Sequence, residues 1–368
     1  MPGQARWSGL DGLRALAVLA VLGCHFAFLN QGAAVGVDLF FVLSGFLITS
    51  LLLRERQRAG AVSLWRFWLR RALRLFPALV CAVLFAPVVA QWATPDERHA
   101  TVAGLPWVFV YLGNWAKAAG GPHTLGLLVH TWSLAVEEQF YIVWPLVMTF
   151  WLGTRAARPY RAATVMASLA VVAGVYNLWA MQHWGGAVAY FRTDTHAMGL
   201  CAGCALALAI KGRPESVSLS TRDRWLLGVS ALGAFVLFCV VCVLPGTTPR
   251  AASMMLNAAT LSSVALVAFV VLVPGNAWVR LLSQRGPSWL GARSYGIYLY
   301  HYPLAVVFVE AHLFHGAEHT AAVVACLVAT VVIAAASYRW IETPFLELKN
   351  RFSVGTAPAL HQPLLTAT

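Results

Sequence analysis

His25 stands eleven positions after Arg14 in SGLDGLRALAVLAVLGCHF, residues 8–26, an otherwise apolar run fit for one helix. At about 100° per residue, eleven steps close three turns with about 20° to spare, so both side chains share a face about 16 Å apart. Such groups are costly in a helix fit for lipid. Either they face a protein interior or cavity, or Arg14 snorkels to the interface while His25 is a satisfied core histidine. Facing a cavity, a neutral imidazole can serve as a general base toward a hydroxyl. Asp38 follows in GVDLFFVLSGF, residues 36–46. If the second helix runs antiparallel to the first, its carboxylate lies near the depth of His25, where it either orients the imidazole or caps the second helix. Arg71 and Arg74 come one turn apart, a fork that suits phosphate oxygens and equally suits anchoring of a helix at the cytoplasmic face.

Further along, HTWSLAVEEQFY, residues 130–141, opens the fourth helix with Ser133, Glu137 and Glu138. Ser133 and Glu137 read as caps of that helix, or the two adjacent glutamates line the same cavity. SYGIYLYHYP, residues 294–303, sets His301 within the ninth apolar run, where Pro303 predicts a kink.

The elements that must position these groups follow from composition. Hydrophobic residues make up 60% of the 368 and charged residues 11%, with mean hydropathy +0.70. That excludes an ordinary soluble domain and predicts an all-α polytopic membrane protein with about ten transmembrane helices. The runs are about 10–29, 36–53, 72–91, 134–152, 162–182, 196–210, 225–244, 253–273, 290–311 and 320–338, with 103–113 as a re-entrant or interfacial piece. With a cytoplasmic N-terminus, all of the 26 Lys and Arg except Arg98, Lys117, Arg192 and Arg250 fall on the inner side. The basic balance, +12 and pI near 9.8, is thereby accounted for without nucleic acid.

Seven cysteines lie inside apolar runs. They include two C-x-x-C pairs without further ligands, so they read as packing residues, and no metal is expected. Val21 to Cys24 faintly resembles a lipoprotein cleavage site, but the spans that follow favour an uncleaved anchor. No repeat of 20–50 residues or inverted pair of halves is visible, which disfavours a repeat-built transporter. Residues 1–345 read as one membrane domain, followed by a short cytoplasmic tail over 346–368.

Together these motifs resemble the acyltransferase-3 family of integral membrane O-acyltransferases over nearly the whole chain. Arg14 with His25, Gly36 to Phe46, Arg71 with Arg74, Asn114 with Trp115, Ser133 to Tyr141, and Tyr298 to Pro303 match its blocks in order. Where many relatives read T-D-T-R-A-D, this chain has Thr193-Asp194-Thr195-His196-Ala197-Met198, a departure that points toward a different acceptor. The fused periplasmic hydrolase-like domain of some relatives is not expected here.

The resemblance implies transfer of an acyl group, often acetyl, from acyl-CoA to a hydroxyl, commonly of a carbohydrate such as a surface polysaccharide or lipid-linked glycan. A sugar on a macrolide-like small molecule is the alternative acceptor. In that scheme His25, Asp38 and Glu137 form the catalytic set, with His25 as base and Asp38 orienting it. Arg14, Arg71 and Arg74 hold the phosphates of the CoA donor. Ser44, Asn114, Trp115, Glu138, Tyr298 and His301 bind substrate. No cofactor stays bound, and the protein resides in the inner or plasma membrane with both termini cytoplasmic. A glycan transporter or flippase is the rival from another class, and a non-catalytic scaffold ranks last because it leaves the alignment of Arg14 with His25 unexplained.

Overall fold

The computed structural model describes residues 8–352 apart from 27–28, 31, 122–123, 154–157, 213–218, 311–315 and 351. Most of the tail expected over 346–368 therefore lies outside the described residues. All regular structure among the described residues is helical. In chain order the helices are α1 (Ser8–His25), α2 (Gly32–Ala59), α3 (Leu64–Val89), α4 (Pro95–Phe109) and α5 (Gly113–Gly120). A 3-10 turn over Gly126–Thr131 then leads into α6 (Trp132–Gly153), α7 (Pro159–His183) and the short α8 (Gly186–Ala189). The remainder are α9 (Ala197–Gly212), α10 (Thr221–Val243), α11 (Pro249–Leu272), α12 (Ala277–Leu282), α13 (Arg285–Ala292), α14 (Ser294–Ala305), α15 (Gly316–Ser337) and α16 (Thr343–Asn350).

Seven helical segments are long and apolar enough to cross a membrane, and they coincide with seven of the expected spans. The other three expected spans are helical as well, in α1, α6 and α14, and these are the helices that carry His25, Glu137 and His301. The chain is thus an all-α, multi-pass membrane protein. Boundaries differ from the apolar runs where charge continues a helix. The basic stretch Arg66 to Arg74 is already part of α3, and α2 extends through Arg54, Arg56 and Arg58. Lipid solubility ends there, but Arg and Glu are good helix formers, so the backbone bonding does not.

α1 and α2 occupy the centre. On one side they share an apolar core with α3, the 3-10 turn and α14 through Val21, Phe26, Phe41, Leu79, Leu127 and Ile297. On the other they pack on α10 and α11 through Leu13, Leu39, Phe238 and Val267. The most apolar stretch of α2 is 72% buried, against 28% for that of α10, which faces outward. Lipid is as apolar as leucine, so contacts between helices must come from close packing rather than from escape from water. Glycines permit it. A methyl group at Gly36 would strike the Ala17 carbonyl of α1, and one at Gly203 of α9 would strike the Val42 carbonyl of α2. The pair Gly199 and Gly203, four residues apart, lets α9 lie directly on α2.

Candidate active site at the two ends of the first helix

His25 is the last residue of α1. The chain turns back at once, with the Leu29 amide donating to the Gly23 carbonyl at 2.8 Å. Around His25 lies a cavity of about 200 Å³, lined also by Val21, Val37, Val129, His130, Trp132, Tyr190, Phe191, Tyr298 and Tyr302. The His25 ring stands 5.2 Å from that of His301 and edge-on to Tyr302 at 5.0 Å. His130 stacks on the same Tyr302 ring at 5.1 Å.

Pro303 explains how these groups are held. It has no N–H to give the Leu299 carbonyl one turn back, which would leave that acceptor bare inside the protein. His130 Nε2 meets it at 3.1 Å. A carbonyl only accepts, so Nε2 carries the proton of His130. Tyr298 makes a second tie, its hydroxyl donating to the His130 carbonyl at 2.7 Å while standing 2.7 Å from Ser133 Oγ. Since that phenolic proton goes to His130, Ser133 donates to Tyr298. Tyr298 therefore contributes its ring to the cavity and spends its hydroxyl on the wall. Ser133 does not act as a cap.

Asp38 has a different partner from the one expected. Its Oδ1 lies 3.7 Å from Nδ1 of the buried His196. The reason is helical phase. Gly36 is pressed against α1, and two residues further on, about 200° around α2, Asp38 faces away from α1 and toward α9. Capping is ruled out too, because α2 begins at Gly32 and Asp38 sits in its second turn. His196 Nε2 meets the Tyr190 carbonyl at 2.6 Å and so donates there. The departure from the commoner T-D-T-R-A-D pattern is thus the residue that answers Asp38. Trp132 and Tyr190 separate this pair from the cavity, with ring centres 4.8 Å and 5.3 Å from His196.

At the other end of α1, Arg14 pairs with Asp11 at 2.8 Å. Arg14 and Arg71 stand close enough to Arg74 for their like charges to oppose its own, and Lys349 of α16 feels Arg74, Arg71 and Arg70. The Arg71 guanidinium lies over the Tyr141 ring at 3.8 Å, and its buried Nε has no hydrogen-bond partner among the described residues. Tyr141 donates to Ser44 at 2.8 Å, and Ser44 donates to Glu137 Oε1. Glu137 and Glu138 both feel the charge of Arg71. Glu137 was expected in a catalytic role beside His25. It lies instead about one turn from Ser133 toward the basic end and does not line the cavity. Ser44 likewise has its proton and one of its lone pairs committed to neighbours.

Asn114 and Trp115 hold the wall rather than line it. Asn114 is fully buried, donates to the Phe191 carbonyl at 3.1 Å and to Thr193 Oγ1 at 2.9 Å, and accepts from Gln139 at 2.9 Å. That network fixes the segment bearing Tyr190 and Phe191. Trp115 and Trp184 flank the Arg192 guanidinium at 4.8 Å and 4.3 Å. Arg192 grips Asp194 through two bonds, of 3.0 Å and 2.7 Å, which raise its already high pKa.

The residues that sequence reasoning left out of the site are His130, Trp132, Tyr190 and Tyr302 in the cavity, His196 behind it, and Lys349 at the basic end. One signal was available for His130. A proline inside a helix orphans a carbonyl, and a buried donor from elsewhere has to satisfy it.

A family model described as an acyltransferase domain matches residues 7–339. The protein YrhL of Bacillus subtilis strain 168 is 35% identical over 91% of this chain and 54% of its own length. The O-acetyltransferase OatA of Staphylococcus aureus is 31% identical over 91% of this chain and 56% of its own. The peptidoglycan O-acetyltransferase OatA of Listeria monocytogenes is 30% identical over 93% and 56%. This chain spans little more than half the length of these relatives. No solved structure matches it.

Proposed function

The chain belongs to the acyltransferase-3 family, and from that membership we propose that it transfers an acyl group, acetyl in the first instance, from acyl-CoA to a hydroxyl of a carbohydrate. One observation carries the reading: along one buried helix, Arg14 of the basic cluster and His25 of the imidazole-lined cavity stand about 16 Å apart. A donor with charged phosphates at one end, a long arm and a reactive thioester at the other fits that separation. Arg71, Arg74 and Lys349 take the phosphates, with Arg14 behind them. The arm follows α1 toward His25.

In the cavity, His25 in its neutral form takes the proton of the acceptor hydroxyl as its oxygen attacks the thioester carbon. The C–S bond breaks, and His25 returns the proton to the departing sulfur, leaving ester and free thiol. The aromatic walls from Trp132, Tyr190, Phe191 and Tyr302 suit the apolar faces of a sugar ring and exclude water from the thioester. Because relatives carry peptidoglycan in their names, a cell-wall glycan is the first acceptor to try. With the N-terminus cytoplasmic, as the distribution of basic residues argues, the basic end opens to the donor pool and the His25 cavity lies toward the outer face.

The test is thiol release from acetyl-CoA by purified protein in liposomes, with and without peptidoglycan fragments, comparing wild type with His25→Ala. Acceptor-dependent release that the substitution abolishes is the expected result. Folded protein that neither binds CoA nor releases thiol overturns the reading and favours transport.

A further inference from the structure

Asp38 pairs with His196 and so is not the group that orients His25. The cavity offers another group. His301 is completely buried on α14, and its Nδ1 lies 2.7 Å from the Tyr298 carbonyl. Because the carbonyl can only accept, Nδ1 carries the proton and Nε2 the lone pair. That Nε2 is buried and has no hydrogen-bond partner among the described residues. A bare acceptor inside a protein is costly, so something in the working state should donate to it.

The neighbouring donors can be taken in turn. His130, 5.5 Å away between ring centres, has given its N–H to the Leu299 carbonyl. Tyr298, also at 5.5 Å, has given its hydroxyl to the His130 carbonyl. Tyr302 is farther, at 6.2 Å. His25 is the nearest ring, at 5.2 Å with a tilt of 52°. Ring nitrogens stand about 1 Å out from their centres, so this spacing admits an N–H···N bond near 3 Å after a small rotation.

We infer that His301 is the positioning residue of His25: its Nε2 lone pair receives the N–H of His25 in the reacting complex. The opposite nitrogen of His25 then carries the lone pair that takes the hydroxyl proton. His301 stabilises the imidazolium that forms, the part a carboxylate plays in a serine hydrolase, without itself changing protonation. No covalent step is added. The inference rests on the reading of His25 as base in acyl transfer.

The test uses the full chain in liposomes with His301→Phe, which keeps a ring and removes the acceptor, and His301→Gln, whose amide oxygen accepts near the position of Nε2. Phenylalanine should lower kcat on the order of 100-fold with KM for acetyl-CoA unchanged. It should also move the acid limb of the kcat profile to lower pH, because the imidazolium of His25 loses its support. Apart from residue 301, the titratable groups that line the cavity with His25 are Tyr298 and Tyr302 from α14, His130 from the 3-10 turn and Tyr190, and these stay in place in both variants. Glutamine should recover most of the rate and return the limb. Equal losses in both variants, or an unmoved limb, overturn the inference.

Nitrogen-15 spectra of the histidine-labelled wild type give a second readout that needs neither variant to fold. They should show His301 protonated at Nδ1 and His25 as a single neutral tautomer. A mixture of His25 tautomers overturns the inference. Absence of acyl transfer by the wild type counts against the acyltransferase reading instead, and leaves these spectra legible.

Discussion

The two ends of α1 solve opposite problems. At the basic end, Arg14, Arg70, Arg71, Arg74, Arg293 and Lys349 accumulate one sign of charge that Asp11, Glu55, Glu137, Glu138 and Glu342 only partly offset, and Arg71 keeps a buried N–H unspent among the described residues. At the cavity end no carboxylate lines the wall among the described residues, and the hydrogen bonds of His130 and Tyr298 are spent on backbone carbonyls. A surplus of charge selects a partner by its anions and tolerates some freedom in how they sit. A neutral wall of fixed rings selects by shape and orientation. Donor affinity should therefore reside at the first end and chemistry at the second.

The comparison can be broken most sharply at His25. His25→Ala should lower kcat on the order of 1,000-fold while the Kd for acetyl-CoA, read by calorimetry, stays put. Loss of CoA binding in that variant would mean that the two ends do not divide the work. Arg71→Ala and Arg74→Ala should each raise KM for acetyl-CoA by about 10- to 100-fold, with kcat changed only a few-fold. Arg71→Lys should recover only part, because a point charge lacks the planar fork. Steady-state kinetics at two salt concentrations sharpen the point, since KM should rise with ionic strength in the wild type more than in either alanine variant.

Tyr298→Phe keeps the ring and removes the tie to the His130 carbonyl. It should lower kcat by about tenfold and stability by about 1–2 kcal/mol, with KM for acetyl-CoA unchanged, as read by activity and thermal unfolding in detergent. The smallest effect belongs to Trp115, which flanks Arg192 outside the cavity. Trp115→Leu should cost about 1 kcal/mol of stability and less than twofold in any kinetic constant. A tenfold rise in the acceptor KM would instead place Trp115 on the path of the substrate.

Much of this was legible in the chain. Hydropathy alone sets the helices, because a backbone in lipid must satisfy its own hydrogen bonds, and seven of the ten expected spans return as helices fit to cross. The helical repeat alone puts Arg14 and His25 on one face. The spacing of Arg71 and Arg74 within α3 gives the basic fork. These are local facts, fixed by the geometry of a single helix.

The partners of these residues were not local. Asp38 was expected at the depth of His25, yet the press of Gly36 on Ala17 turns it toward the segment that leads into α9, where His196 meets it. His130 enters the site because Pro303, 173 positions later, leaves a carbonyl without its donor. Asn114 and Ser44 sit in matching motifs, but their hydrogen bonds turned out to hold walls. Sequence by itself determined which segments become helices and which residues stand on the same side of each, because both follow from backbone bonding and a fixed pitch. Only the tertiary structure decided which faces meet, because that depends on where glycines let helices close to contact and on which orphaned polar groups must find each other there.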